Sequence, residues 1–173
     1  EAQRQALTQN QLRRFCRENF LSFMRMREWR DNHRQLRLIC KELGLRENTA
    51  PADFASIHRA LLSGLLGNIG ERGDEDEYLG AHNRRHFIFP GSSQYKRKPR
   101  WIMSFELVET TRLYGRQVAD IDSRWIESMA GHLTKREHHE PFFDSERGQV
   151  FALEEVMLYG VTIVKRRKVD YGA

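Results

Sequence analysis

The spacing of the apolar residues changes near residue 65, and this change constrains the fold more than any other feature of the sequence. From residue 8 to residue 66 these residues recur every three or four positions, which is the period of helices with one buried face. Beyond that point, short runs of aromatic and β-branched residues are separated by turn-forming residues, a pattern typical of strands. The order predicts an α+β chain, in which a small helical bundle precedes a small antiparallel barrel.

Three helices are predicted in the first section. The second should end at Gly44, a favourable residue after a helix C-terminus, and residues 49–53, which contain Pro51, separate it from a third helix beginning at Phe54. The second helix carries an unbroken apolar stripe, which we expect to be buried with its histidine in the core: Met26, Trp29, His33, Leu36, Cys40 and Leu43.

The second section predicts strands, a short helix and a final hairpin. Asp122 or Ser123 is a suitable N-cap for the helix, and the hairpin should turn at Tyr159 and Gly160. The acidic run ERGDEDE (71–77) is interpreted as a linker or an exposed turn. We predict a helical segment over 1–66 and a barrel domain with a C-terminal hairpin over 67–173. The predicted strands before the helix are 86–89, 101–110 and 113–121.

Composition limits the class of protein. A hydrophobic content of 39% with 10% aromatic residues can form a core, and no apolar run approaches the ~20 residues of a membrane helix. The net charge of +5 and the pI near 9.5 fit a polyanionic partner.

Cys16 and Cys40 are interpreted as reduced thiols, and a disulfide between them is left open. The ends, Glu1-Ala2-Gln3 and Gly172-Ala173, suggest a piece cut from a larger protein.

Motifs for catalysis are missing from the sequence. It contains no G-x-x-x-x-G-K-[ST] phosphate loop, and Ser92 and Ser93 lack the G-x-S-x-G frame of a nucleophile turn. His138 and His139 are adjacent, so they would point in different directions, and we expect a polar loop there instead of a metal site. No catalytic residue and no metal ligand is predicted.

Two clusters of cations are candidate nucleic-acid contacts. On the second helix, arginines also step by three and four, about 100° around the helix from the apolar stripe. They form either a solvated surface or a row of phosphate contacts.

The second cluster surrounds Tyr95, Phe87 and Trp101. Cations among aromatic rings suit the binding of single-stranded nucleic acid, unless Phe87 and Trp101 belong to the core. The candidate contacts are Arg27, Arg30, Arg34, Arg37, Arg84, Arg85, Tyr95, Lys96, Lys98 and Arg100. A third basic run, 165–168, could be a solvated strand edge.

Four stretches, in this order, carry a resemblance to a known family. They are CRENFLSFMRMREWRDNHRQL (16–36), GAHNRRHFIFPGSS (80–93), PRWIMSFELVETTRLYGRQVADIDSRWIESMAGHLTKR (99–136) and EEVMLYGVTIVKRRKVDYG (154–172). The set resembles the C-terminal accessory region of the DEAH-box RNA helicases, closest to the bacterial HrpA branch. The resemblance covers nearly the whole chain. It implies late helices of a ratchet-like bundle followed by an oligonucleotide-binding (OB) barrel.

The resemblance also implies a setting for the chain. In this family two RecA-like motor domains bind and hydrolyse ATP with Mg²⁺, and the accessory domains close over single-stranded RNA. The motor motifs are not in this sequence. We therefore expect a cytoplasmic segment that is inactive alone and has no cofactor of its own. Its expected partners are single-stranded RNA, its own motor domains and a regulator protein, with no membrane. The alternatives are a protein-docking module that braces the motor and a free-standing single-strand-binding protein.

Overall fold

A computed structural model of the chain describes residues 2–172. Glu1 and Ala173, on which the expectation of cut ends partly rests, lie outside the described residues. The chain divides into two compact units, the first ending at Pro51 and the second beginning at Ala52. The domain boundary predicted at residue 66 stays a prediction. The third predicted helix lies in the second compact unit.

The first unit contains three helices: α1 (Ala2–Ala6), α2 (Gln9–Glu18) and α3 (Phe23–Glu42). Thr8 caps α2 through a reciprocal capping box with Gln11, and the Ser22 hydroxyl accepts a hydrogen bond from the Arg25 amide to begin α3. The two helices are separated at Phe20, whose φ of 56° cannot continue a right-handed helix. Cys16 is buried and Cys40 is partly buried, and both are free thiols in the structure.

The expected burial of the apolar stripe on α3 is wrong. No residue of α3 is buried, and Trp29, Leu36 and Leu43 are 61%, 61% and 69% exposed. His33 is also exposed and stacks on Trp29 instead of lying in a core. The reason is length: α3 has 20 residues, whereas α1 and α2 have only 5 and 10 and cannot cover it.

The second unit begins with α4 (Phe54–Ser63), capped by Asp53, and continues into a closed barrel. The barrel strands are β1 (Ile69–Arg72), β2 (Tyr78–Gly80), β3 (Arg85–Ile88), β4 (Trp101–Glu109) and β5 (Leu113–Asp120). Their order around the barrel is β1-β2-β3-β5-β4, with β3 and β5 parallel and the other described pairs antiparallel. This closure, with a parallel pair joining two antiparallel ladders, leaves no open edge.

A short helix and a separate sheet complete the unit. Helix α5 (Ser123–Ala130), capped by Asp122, leads into a three-stranded antiparallel sheet of β6 (Thr134–Asp144), β7 (Gln149–Leu158) and β8 (Val161–Asp170). β7 and β8 form the predicted hairpin, with Tyr159 and Gly160 both at positive φ, as a two-residue type I′ turn requires. The predicted fold class is therefore confirmed.

Two local predictions are corrected by this architecture. The polar loop expected around His138 and His139 is instead part of strand β6, which pairs with β7. Most side chains of β6 are exposed, so it lacks the apolar alternation by which a strand is recognised. In the acidic run 71–77, Glu71 and Arg72 end β1 and the residues after them form the turn that closes the β1–β2 hairpin, so the run is not a linker.

The core has two parts. The larger packs α4 and α5 against β1, β4 and the β7–β8 hairpin, with Leu62, Ile126 and Val156 completely buried. Trp101 belongs to this cluster, which confirms the alternative that made it a core residue. The smaller part fills the barrel with Tyr78, Ile88, Ile102 and Val118.

A histidine also lies inside the barrel. The His86 side chain is completely buried, and Gly70 and Gly80 leave room for it, since a Cβ at either would lie 2.7 or 3.0 Å from its Cε1. Neither ring nitrogen makes a hydrogen bond of standard geometry. Burial lowers the pKa of His86 to about 4, and the neighbouring Arg84 backbone offsets this only in part, so the imidazole is neutral at pH 7.

Candidate nucleic-acid interface

The connection between β3 and β4 carries four of the predicted contacts: Tyr95, Lys96, Lys98 and Arg100. It is a series of tight turns in which the amides of Arg97 and Lys98 both donate to the Gln94 carbonyl, at 3.1 and 3.0 Å. Its C-terminal end is fixed to the barrel, because the Tyr78 hydroxyl donates to the Pro99 carbonyl at 2.8 Å. Burial raises the pKa of Tyr78 to about 12, so that hydroxyl keeps its proton. Tyr95 and Lys96 are exposed on this segment.

Three of the five predicted barrel cations pair with carboxylates of the acidic run 71–77, hereafter the acidic turn. Lys98 pairs with Asp76 and Arg85 with Glu77, while Arg100 pairs with Glu71 at 3.0 Å. Arg84 and Lys96 are exposed and have no carboxylate within 4.0 Å among the described residues. Arg84 and Lys96 are therefore the cations most available to an external phosphate. Arg85, Lys98 and Arg100 are less available, although ion pairs between exposed side chains are weak and can be exchanged.

The cations of α3 divide in the same way. Arg30 lies 3.5 Å from Asp31, and the Arg37 Nε lies 2.6 Å from the Glu47 carboxylate. Arg27 and Arg34 are exposed and have no ion pair within the described residues. These α3 residues and the barrel cations belong to different compact units.

The basic run 165–168 is a structural element of the sheet. Each of its residues pairs with a carboxylate: Lys165 with Glu71, Arg166 with Glu140, Arg167 with Glu127 and Glu154, and Lys168 with Asp144. The pairs of Arg167 have the least exposed carboxylate, Glu154, whereas the pair of Arg166 with Glu140 is exposed and weak.

Arg167 is the centre of a four-residue cluster that ties α5 to all three strands of the sheet. Its guanidinium donates to Glu127 on α5 and to Glu154 on β7, and Arg136 on β6 donates to the same two carboxylates at 3.1 and 2.9 Å. Glu154 is 5% exposed. Its burial tends to raise the carboxyl pKa, but the hydrogen bonds from Arg136 and Arg167 outweigh burial and lower it.

Sequence reasoning missed a group of residues on the outside of the barrel. Parallel pairing of β3 and β5 places Phe87 opposite Tyr114, and Phe89 meets the edge of the Tyr114 ring at 6.0 Å between centroids. Arg112 lies over the Phe87 ring at 4.9 Å, and Arg116 lies over the Phe89 ring at 4.8 Å. The alternation in HFIF (86–89) and RLYGR (112–116) indicates outward-facing side chains. Neither run, however, shows that these two strands pair with each other.

The serines and histidines add no chemistry to this region. Ser92 Oγ accepts a hydrogen bond from the Gln94 amide at 3.2 Å, which is a turn contact. His139 lies 3.6 Å from both Glu137 and Glu155. Across residues 2–172, no group of three or more His, Cys, Asp or Glu side chains is arranged to hold a metal ion. Among the helices of the same residues, none is both long and apolar enough to span a membrane.

Comparison with known proteins agrees with the fold and the resemblance. Residues 57–133 match the family OB_NTP_bind, described as an oligonucleotide/oligosaccharide-binding (OB)-fold. The crystal structure of the E. coli DExH-box NTPase HrpB shares the fold with a TM-score of 0.51 at 15% identity, over 76% of this chain and 16% of that one.

Two curated relatives match along nearly the whole chain. The "ATP-dependent RNA helicase HrpA" of Escherichia coli (strain K12) is 49% identical over 170 residues, which is 98% of this chain. The "ATP-dependent RNA helicase HrpA homolog" of Haemophilus influenzae is 46% identical over 174 residues, which is 100% of this chain. The chain spans 13% of the length of each relative. It therefore corresponds to the C-terminal accessory region of HrpA-like helicases.

Proposed function

We propose that this chain is an RNA-binding accessory segment of an ATP-dependent RNA helicase and holds single-stranded RNA against RecA-like motor domains elsewhere in the parent protein. The observation that carries the proposal is an OB barrel with exposed cations beside an exposed aromatic ring, in a chain half identical to a protein named as an RNA helicase. Cations that follow the phosphate backbone, with rings that stack on bases, suit single strands of any sequence.

The freest of the predicted contacts are the four of these cations that have no ion-pair partner among the described residues. They are Arg27 and Arg34 on α3, and Arg84 and Lys96 on the barrel. Arg30, Arg37, Arg85, Lys98 and Arg100 are further candidates that would exchange a carboxylate for a phosphate, and Tyr95 offers a ring. Four phosphate contacts to a single strand correspond to a slope of about −3 for the logarithm of affinity against the logarithm of salt concentration.

Hydrolysis of ATP with Mg²⁺, a cytoplasmic setting and a regulator partner belong to the proposal for the parent. The chain itself holds no phosphate-loop motif, so the segment alone should hydrolyse no ATP, with or without RNA.

Fluorescence anisotropy with a short labelled single-stranded RNA at low salt tests the proposal, using this segment and its full-length parent. The segment should bind weakly and without sequence preference, and the parent more tightly. Reversing two charges, Arg27→Glu with Arg34→Glu, should weaken binding by the segment, whereas Arg14→Glu with Arg166→Glu makes the same charge change away from the candidates. If the segment shows no binding at low salt, or both double variants behave alike, the proposed contacts are wrong.

A second candidate function, a module that docks on protein, is favoured by the exposed apolar residues of α3, of which Trp29 and Leu36 are each 61% exposed. It predicts negligible RNA affinity for the segment together with measurable binding to the motor domains supplied separately. The same RNA titration, followed by a binding assay with the motor domains, distinguishes the two functions.

A further inference from the structure

The outer side of the β3–β5 pair carries an aromatic surface that the predicted contacts do not include. It consists of Phe87, Phe89, Arg112, Tyr114 and Arg116, hereafter the β3–β5 aromatic surface. Side chains alternate along a strand, and the intervening residues His86, Ile88 and Gly115 are buried in the barrel. The five residues therefore face outward together.

The order of groups across this surface is cation, ring, ring, ring, cation. The Phe87 and Tyr114 centroids are 6.5 Å apart, and the Phe89 and Tyr114 rings meet edge to face at 90°. Phe89 is 37% exposed, and the absence of a side chain at Gly91 lets its ring lie against the backbone, since a Cβ there would be 3.0 Å from the ring.

The two arginines differ from the cations next to the acidic turn. Arg85, Lys98 and Arg100 each have a carboxylate partner, whereas neither Arg112 nor Arg116 has one among the described residues. The Arg116 Nε is also buried and makes no hydrogen bond. That nitrogen is out of reach of a ligand, but a guanidinium without a carboxylate partner is well suited to contact a phosphate or a base edge through its terminal nitrogens.

Two depressions adjoin the surface, one at the Phe87 and Arg112 end and one at the Phe89 and Arg116 end. The lining of the first includes Phe87, Arg112, Tyr95 and Lys98 together with the carboxylates of Glu75 and Asp76. The lining of the second includes Phe89, Arg116, Ser92 and Ser93. Each combines a ring with at least one cation and is open to solvent. A protein partner would be expected to need a continuous apolar patch, whereas separate ring-and-cation sites match consecutive nucleotides of a single strand.

We propose that the β3–β5 aromatic surface seats two neighbouring bases of single-stranded RNA, one against Phe87 and one against Phe89, with Arg112 and Arg116 contacting the adjoining phosphates. This proposal rests on the proposed function and adds base stacking to it. Because every base has a π-face, the surface accepts any sequence.

Two probes of equal length separate stacking from phosphate contact: an oligouridine and an abasic ribose-phosphate oligomer. Phe89→Leu keeps an apolar side chain but removes the ring, so it should weaken oligouridine binding about tenfold and leave the abasic oligomer unaffected. Arg116→Gln should weaken both. Phe105→Leu is the matched control, because Phe105 is 62% exposed on β4 and lies outside the surface.

Photocrosslinking supplies a readout that needs no variant. An oligonucleotide carrying 5-iodouridine should crosslink at Phe87, Phe89 or Tyr114 after irradiation, as mapped by mass spectrometry. Tyr114→Leu serves as a second variant, and thermal unfolding verifies that each variant is folded.

The outcomes distinguish this proposal from the function on which it rests. No oligouridine binding by the unmodified segment overturns both. Oligouridine binding that Phe89→Leu and Tyr114→Leu leave unchanged, or crosslinks located elsewhere, overturns only the stacking surface. If these variants keep RNA binding but lose association with the rest of the parent protein, the surface is a protein contact and the proposal is wrong.

Discussion

Acidification should destabilise the second unit through His86. The imidazole is completely buried, has no hydrogen bond of standard geometry and has a pKa lowered to about 4 by burial. The unfolded chain titrates this group at its ordinary value of 6.5. Between these two values the unfolded state binds a proton that the folded state does not, so stability is complete above pH 6.5 and falls as the pH drops toward 4.

The size of the effect follows from the gap between the two pKa values. One pH unit corresponds to 1.36 kcal/mol, so the full gap amounts to about 3 kcal/mol, reached near pH 4. At pH 5 the loss is about 2 kcal/mol. The ion-paired carboxylates, such as Glu127 and Glu154, have lowered pKa values and stay charged at pH 5, so they contribute little to this loss.

Urea unfolding at pH 7.5 and pH 5.0 measures this loss, with His86→Gln as the variant that cannot titrate. The unmodified chain should lose about 2 kcal/mol more of its free energy of unfolding than His86→Gln does between these pH values. His132→Gln, which changes an exposed histidine, should behave like the unmodified chain. Equal losses in the unmodified chain and His86→Gln would refute the reasoning, as would an NMR titration placing the pKa of His86 near 6.5.

Two further predictions concern the ion pairs. Glu154→Gln leaves Arg136 and Arg167 without a buried carboxylate and should lower the free energy of unfolding by about 2 kcal/mol in urea titrations, less than a fully buried pair because both arginines are partly exposed. Glu140→Gln, in an exposed pair with Arg166, should cost under about 0.5 kcal/mol, and equal losses would contradict the assigned role of the cluster. Neutralising the acidic turn by Asp76→Asn with Glu77→Gln frees Lys98 and Arg85, so single-stranded RNA affinity should rise and the salt slope should steepen by about 1. The control Glu146→Gln with Asp170→Asn gives the same net charge, and an equal rise there would show that only the overall charge matters.

The sequence predicts the long, strongly patterned elements of this fold. Residues 101–110 and 113–121 are rich in aromatic and β-branched residues and are β4 and β5 within one residue at each boundary, and Tyr159-Gly160 is a recognisable type I′ turn. β1 and β2 escape detection because they have only 4 and 3 residues, and β6 because its side chains are mostly exposed. Short strands are stabilised by their neighbours in the sheet, which a local pattern does not contain.

The candidate site is predicted less completely, for a physical reason that the cations make clear. A local run of charge shows that Lys98 and Arg100 are basic, but not that Asp76 and Glu71, over 20 residues earlier, lie beside them. Likewise, Phe87 and Tyr114 become neighbours only through the parallel pairing of β3 and β5. Which charges are neutralised and which rings are grouped are tertiary properties, and those two properties determine where a single strand can be held.

The salt dependence of single-stranded RNA binding tests the central claim most directly. It should be measured with the unmodified segment and with a variant in which Gln replaces the four predicted contact cations that have no ion-pair partner among the described residues: Arg27, Arg34, Arg84 and Lys96. The unmodified segment should lose about 50-fold in affinity between 50 and 200 mM salt, a slope of about −3, and the variant should show a much shallower slope. Unchanged slopes in the two proteins, or no binding by the unmodified segment at 50 mM salt, would contradict the account.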